Sequence, residues 1–297
     1  MKYGPEVLLE KLEKESKKMS ANRIPKIIHY CWFSGEPVTP FIQSCMDTWK
    51  AIMPDYNLKL WDAQSFDFDS VPFVKETYKK KKWAFVADYI RLYAVYTEGG
   101  IYLDSDVMVM KPFDSFLQYS FFTSHEFHPG NFTEKEKRKL SENGIVINPN
   151  EYVSGLNIQA AIFGGEKGNP YLKDCLDFYH RMASIKNIEG KEFESFIIGP
   201  FISKVAEKYG YRYIPDRQHL NQNMVIFEPE YFVGNSLFLT KNSYAIHLIN
   251  GSWREKSAYK TFMHYLRNYH KYLFGFFNFC EKVIRKIKRM TTRVNCI

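Results

Sequence analysis

Residues 84–110 read AFVADYIRLYAVYTEGGIYLDSDVMVM, and no other stretch constrains the chain as much. A helical pattern runs to Glu98 and is stopped by Gly99-Gly100. A short apolar strand follows, Ile101 to Leu103, with Asp104-Ser105-Asp106 at its exposed end. Two carboxylates so close together at the end of a buried strand are costly to desolvate and need a cation. A pair that offers only oxygen suits a hard divalent ion such as Mn2+ or Mg2+. An ion held there is well placed to grip a diphosphate. The first reading is therefore a metal-dependent enzyme handling a nucleotide diphosphate compound.

The surrounding pattern is layered. Lys26 to Trp32 reads as a buried strand, and Gly35, Pro37 and Pro40 as a loop before a helix ending near Met53. Tyr56 to Trp61 alternates like a second strand, and two helices follow, the second over 84–98. Residues 128–152 are polar and turn-rich, an excursion over the face that carries the acid pair. Ala160 to Gly165 predicts a further strand. Helices are expected over 170–184 and 195–209, and strands near 211–214, 224–227 and 244–248. Strands alternating with helices give an α/β layered domain, whose sites gather at the carboxyl ends of strands. Trp32 and Asp104 both stand at such ends.

The core is affordable: 45% of the 297 residues are hydrophobic and 17% aromatic, which excludes a disordered chain. Cys31, Cys45, Cys175, Cys280 and Cys296 form no CxxC pair and no metal-ligand spacing, which points to a reducing compartment. MKYGPEVLLEKLEKESKKM is too charged for a signal peptide, and no apolar run is long enough for a membrane span. The expected location is cytoplasmic. The net charge of +8 is concentrated at the end of the chain. Residues 254–297 hold 11 Lys and Arg against Glu255 and Glu281, while the rest of the chain is nearly neutral.

Gly99-Gly100-Ile101-Tyr102-Leu103 ahead of Asp104-x-Asp106 resembles the core motif of retaining glycosyltransferases of the GT-A type, specifically the family 32 sugar transferases. That family includes bacterial polysaccharide enzymes and fungal α-1,6-mannosyltransferases, and is related to the catalytic domain of the large glucosylating toxins. The resemblance runs over residues 24–253. It takes in Ile24 to His29 with Trp32, Trp61-Asp62, Asp88 with Arg91, Gly199-Pro200 and His247 to Trp253. It implies an α/β three-layer fold with a mixed central sheet over 1–253, opened by an N-terminal helix over 1–22. A basic helical tail over 254–297 follows.

The resemblance also implies roles. Asp106 binds Mn2+ or Mg2+, and Asp104 completes the metal shell or contacts ribose and sugar hydroxyls. Asp88 and Arg91, three apart on one helix face, either form an ordinary ion pair or reach the donor's hydroxyls and phosphate charge. Trp32 is either a core aromatic or the platform on which a nucleobase stacks. Asn157, before a strand expected over 158–165, is either a turn residue or a donor-sugar contact. Gln159 is a weaker candidate on the same side. His29 reads as a structural histidine. His247, Ser252 and Trp253 belong to a late segment that closes over the diphosphate, leaving the third protein ligand open between His247 and Ser252.

The implied activity is transfer of a hexose from a nucleotide-sugar donor, UDP-sugar favoured over GDP-mannose, to a glycan or lipid-linked oligosaccharide acceptor in surface or capsular polysaccharide synthesis. A phosphatase or phosphomutase would need its DxD near the N-terminus and a second acidic motif, and no GDxxxD occurs. A nucleic-acid binder would line a groove with its charge. Here the charge accompanies an apolar stripe of Leu273, Phe276, Phe277, Cys280, Val283, Ile284, Ile287 and Met290. A basic amphipathic helix of that kind lies on an anionic membrane surface, here the inner face of the plasma membrane.

Overall fold

The computed structural model describes residues 22–184, 198–234 and 238–248. The expected N-terminal helix, Ser252, Trp253 and the basic tail lie outside the described residues. The fold class is α/β with a mixed sheet, as expected.

The main sheet runs β2 (Asn57–Trp61), β1 (Ile27–Cys31), β3 (Gly100–Leu103), β7 (Ile162–Gly165), β5 (Phe121–Phe127), β9 (Met224–Phe227), β8 (Gln218–Leu220), with β6 (Leu156–Ile158) added to β5. Strands β2, β1 and β3 are parallel. Strand β7 is antiparallel to both β3 and β5, and β5 is parallel to β9. A small second sheet joins β10 (Phe232–Val233), β11 (Ala245–His247) and β4 (Val107–Val109).

Two apolar clusters lie on opposite faces of the main sheet, as strand alternation requires. Tyr102 and Phe121 pack with the helices α3 (Trp83–Glu98), α5 (Pro170–Ser184) and α6 (Ile198–Ala206). Ile101, Leu103 and Phe122 pack with α1 (Pro40–Ile52). Thr39 caps α1 by accepting from the Ile42 amide, Pro40 opens its first turn, and Ile42, Cys45, Met46 and Trp49 recur on the inner face. The Trp49 indole donates to the Val107 carbonyl at 2.8 Å, and the Val109 amide donates to Thr48 Oγ1 at 2.9 Å. Helix α1 is thereby fastened to β4.

The passage from α3 into β3 depends on both glycines. Gly99 and Gly100 take φ of +72° and +119°, a region that costs other residues strain. A Cβ on Gly100 would stand 2.7 Å from the Ile27 carbonyl oxygen, so β3 could not lie against β1 with any larger residue there.

Two expectations fail. The strand expected over 158–165 is two strands, β6 and β7, with Asn157 inside the first. Gln159 makes the break: its Oε1 accepts from the Ala161 amide at 3.2 Å, and its Nε2 reaches the Phe232 carbonyl at 3.5 Å. Residues 211–214 are not a strand. The Gln218 side chain accepts from the Arg212 amide and donates to the Arg212 and Ile214 carbonyls, folding this segment into a loop. Of the helix expected over 195–209, residues 195–197 lie outside the described residues, and the rest is α6 followed by one tight turn at Glu207–Tyr209. Strands β4, β5, β8 and β10 were not anticipated. A short α4 (Glu134–Lys137) lies within the excursion over 128–152, with an isolated bridge from Leu140 to Val146, and α2 (Pro72–Lys79) precedes α3.

Candidate metal and donor site

Strand β3 leaves the main sheet at Leu103, and the chain turns at once. The Asp104 amide donates to the Ala161 carbonyl, and the Val107 amide closes the turn on the Asp104 carbonyl, both at 2.9 Å. This turn carries both acids. Strand β11 is antiparallel to β4 with His247 opposite Val107, and the Leu248 amide donates to the Asp106 carbonyl at 3.1 Å. That register delivers His247 to the acid pair. One ligand atom each from Asp104, Asp106 and His247 lie within 4.8 Å of one another. His247 Nε2 is 3.2 Å from Asp106 Oδ1 and 3.7 Å from Asp104 Oδ2.

Burial works against the charge on His247, but Asp106 and then Asp104 outweigh it and lift its pKa to about 9. The imidazolium thus fills the place that a cation could take. Its Nδ1 is buried with no hydrogen-bond partner among the described residues. Two carboxylates and one imidazole fit a divalent ion, and the nitrogen donor makes Mn2+ a better match than Mg2+.

Arg91 braces Asp104. Its Nη2 lies 3.0 Å from Asp88 Oδ1 and 3.3 Å from Asp104 Oδ1. Its Nη1 donates to the Ala160 carbonyl at 2.9 Å and its Nε to the Ala87 carbonyl at 3.1 Å. The guanidinium sits 5.0 Å over the Tyr102 ring, and the Tyr102 hydroxyl donates to Asp104 Oδ1 at 2.8 Å. One oxygen of Asp104 is therefore committed to Arg91 and Tyr102, and the other faces His247. Burial pushes Asp88 up to about 6 although Arg91 pulls it down. The i,i+3 ion pair is present, and Arg91 extends it to Asp104. Arg91 Nε, Nη1 and Nη2 each face a protein acceptor.

Trp32 follows β1 at its carboxyl end. Its amide donates to the Trp61 carbonyl at 2.9 Å, its indole N–H donates to the Glu36 carbonyl at 2.7 Å, and the ring is half-buried. His29 is fully buried and structural. Trp61 donates to its Nδ1 at 3.1 Å, so its proton sits on Nε2 and goes to the Gly99 carbonyl at 2.8 Å. Asn157 is buried, donates through Nδ2 to the Val153 carbonyl at 3.0 Å, and stands opposite Glu126 in the β5–β6 pair. Gln159 is occupied as a backbone fastener. Glu126 was not anticipated: its charge acts on both His247 and Arg91.

Residues 41–122 match the model of the glycosyltransferase sugar-binding region containing a DXD motif. The matched segment holds Asp88, Arg91, Asp104 and Asp106, and stops short of Asn157 and His247. Inositol phosphoceramide mannosyltransferase 3 of Schizosaccharomyces pombe is 32% identical over 112 aligned residues, covering 32% of this chain and 28% of the relative. The match thus spans under a third of that relative's length. Among solved structures, the PaToxG glycosyltransferase is similar at 16% identity and a TM-score of 0.41, covering 66% of this chain and 76% of that one. A glycosyltransferase involved in glycosylation of the major capsid of PBCV-1 is similar at 15% identity and a TM-score of 0.37, covering 82% and 100%.

Proposed function

We propose that this chain is a metal-dependent retaining glycosyltransferase of the GT-A type, similar to the family 32 enzymes. It moves a sugar from a nucleotide-sugar donor to a glycan or lipid-linked glycan acceptor. The observation that carries the reading is the meeting of Asp104 and Asp106, from the segment that matches the DXD model, with His247 on a separate strand, their ligand atoms within 4.8 Å.

Asp106, Asp104 and His247 would hold Mn2+, or Mg2+. The bound ion supplies neutralisation of the charge that gathers on the departing nucleoside diphosphate. Arg91, with Tyr102, fixes Asp104 so that one of its oxygens is turned to the site. Asp88 and Asn157 offer polar atoms to sugar and ribose hydroxyls. Trp32 offers a ring face to the base. Ser252 and Trp253, outside the described residues, are proposed to close over the diphosphate.

Two donors lead. The spacing of Trp32, Asp88, Arg91 and Asp104 resembles that of the glucosylating toxins and favours UDP-hexose. The name of the fission-yeast relative specifies mannosyl transfer and favours GDP-mannose. That relative is also named for a lipid acceptor, which supports a lipid-linked acceptor here and a role in surface polysaccharide synthesis. No helix among the described residues is long and apolar enough to cross a membrane. The basic tail over 254–297 is proposed to attach the enzyme to the anionic inner face of the plasma membrane.

The test is nucleotide binding and release with a panel of UDP- and GDP-sugars. Mn2+-dependent binding followed by sugar transfer supports the proposal. Binding indifferent to excess chelator, or phosphate release without sugar transfer, rejects it.

A further inference from the structure

A second cleft opens between α3, the segment after β2, and β2 itself, the edge strand of the main sheet. Tyr89, Tyr93 and Thr97 recur every fourth residue on α3 and line it as one stripe. Asp88 and Arg91 leave the same helix on its opposite side, toward Asp104. The cleft is thus separate from the metal and donor site. Its volume of 640 Å³ falls within the range of about 300–1,000 Å³ typical of small-molecule sites.

Four rings line the cleft: Trp61, Phe66, Tyr89 and Tyr93. Tyr89 and Tyr93 are stacked at 19°, and Phe66 meets Tyr93 edge-on with centroids 5.0 Å apart. Phe66 and Tyr93 are half-buried, so part of each stays open. Oxygens accompany the rings. The Ser70 and Thr97 hydroxyls donate to the Asp67 and Tyr93 carbonyls, which leaves them able to accept. Asp67 is exposed, and its Oδ1 takes the Asp69 amide at 3.0 Å, so the carboxylate keeps room for further donors. Among the described residues that line the cleft, Lys59 is the one Lys or Arg. It is bound to Glu98 at 2.5 Å and stands 5.1 Å over the Trp61 ring.

This lining turns two classes of ligand away. A phosphate would meet the Asp67 carboxylate and a lysine already paired. A quaternary ammonium is held by ring faces, and Lys59 already covers that of Trp61. A neutral ligand with an apolar face and a rim of hydroxyls fits both halves of the lining. A hexose is such a ligand: its C–H face rests on a ring, and its hydroxyls donate to the carboxylate and side-chain oxygens.

We propose that this cleft is a second, non-catalytic carbohydrate site, which holds a sugar unit of the acceptor glycan away from its reacting end. The choice of a glycan over another neutral polyol rests on the proposed transferase function. Phe66 supplies the apolar contact and Asp67 the hydroxyl acceptor.

The experiment uses the full chain in excess EDTA with no donor, so that nothing is asked of the metal site. Saturation-transfer NMR titrations follow maltotetraose and mannotetraose, with choline as a control, on wild type, Phe66→Ala and Asp67→Asn. Wild type should bind at least one tetrasaccharide. Loss of the ring should weaken that binding about tenfold. Exchange of the carboxylate for an amide should weaken it about fivefold. Asp67→Asn, at an exposed position, gives a second reading should Phe66→Ala fail to fold. Release of nucleoside diphosphate to water, measured separately with Mn2+ and donor, should be the same in all three proteins. A wild type that binds neither tetrasaccharide, folded variants that keep wild-type affinity, or capture of choline alone overturns the inference and leaves the proposed function standing. A wild type whose tetrasaccharide binding is weakened by these variants but which transfers no sugar removes the proposed function and leaves the cleft.

Discussion

His247 Nε2 stands 3.2 Å from Asp106 Oδ1, although His247 ends β11, the middle strand of the small sheet, and Asp106 lies in the turn that precedes the edge strand β4. The pair makes a direct prediction. Asp106→Ala and His247→Ala should each weaken Mn2+ binding by at least about tenfold, and Asp106→Ala should abolish transfer, because the donor set is cut from three groups to two. Mn2+ titration followed by electron paramagnetic resonance measures the first effect. Wild-type affinity in either folded variant would remove these residues from the metal site.

Arg91 supplies a second prediction, about stability. It is buried between Asp88 and Asp104, and removing one partner of such a group leaves uncompensated charge. Arg91→Met should cost about 3–5 kcal/mol in urea unfolding. The double variant Arg91→Met with Asp88→Asn should recover part of this. Equal stabilities of the two variants would mean that Asp88 is not held by Arg91.

Trp32 tests the base platform. Stacking on an aromatic contributes roughly 1–3 kcal/mol per base, so Trp32→Ala should weaken nucleotide binding about 5- to 150-fold. The Trp32 indole N–H is engaged with Glu36, so the ring's face is what remains to offer. Unchanged affinity in a folded variant would return Trp32 to the core.

His125 sets a pH dependence. It is fully buried, Nδ1 accepting from the Tyr211 hydroxyl at 3.2 Å and Nε2 donating to the Asp216 carbonyl at 2.9 Å. Burial lowers its pKa from 6.5 to about 4, against the pull of the Asp216 carbonyl and the charges of Glu228 and Asp216. A folded-state pKa below the unfolded one means that the unfolded chain binds more protons between these values. Stability is therefore full above 6.5 and falls as pH drops toward 4. Urea unfolding should lose roughly 2 kcal/mol from this residue between about pH 7.5 and 5. His125→Gln should flatten that slope, and an unaltered slope would contradict the assignment.

The tail yields a membrane prediction. Each basic group near an anionic leaflet contributes about 1 kcal/mol, screened by salt. Full-length protein should co-sediment with phosphatidylserine vesicles at low salt, and a version ending at Tyr272 should not. Equal behaviour of the two would remove the tail from membrane attachment.

The sequence made the acid turn legible because the physics there is local. Gly99-Gly100 stops a helix, three apolar residues make a buried strand, and the carboxylates fall at its end. Glu126 escaped because β5, FFTSHEF, does not look like a strand. Its buried Thr123, Ser124 and His125 are satisfied by distant groups: Thr123 donates to the Ile162 carbonyl and Ser124 to the Phe232 carbonyl. A polar residue that is buried and paired across the fold carries no signal in its own neighbourhood. The same holds for Gln159 and Gln218, whose amides decide where strands break. His247 was legible only as one of two options, since its nearness to Asp106 comes from pairing between β11 and β4.

The acid turn is also a seam. Its Asp104 amide belongs to the main sheet through Ala161, while its Asp106 carbonyl belongs to the small sheet through Leu248. A cation gripped by Asp104, Asp106 and His247 would therefore act as a rivet between two sheets, closing a long loop of chain in one step. Ligand occupancy and tertiary cohesion become one quantity. Melting temperature should climb with Mn2+ concentration, and exchange of the Val107 and Leu248 amide protons should slow together.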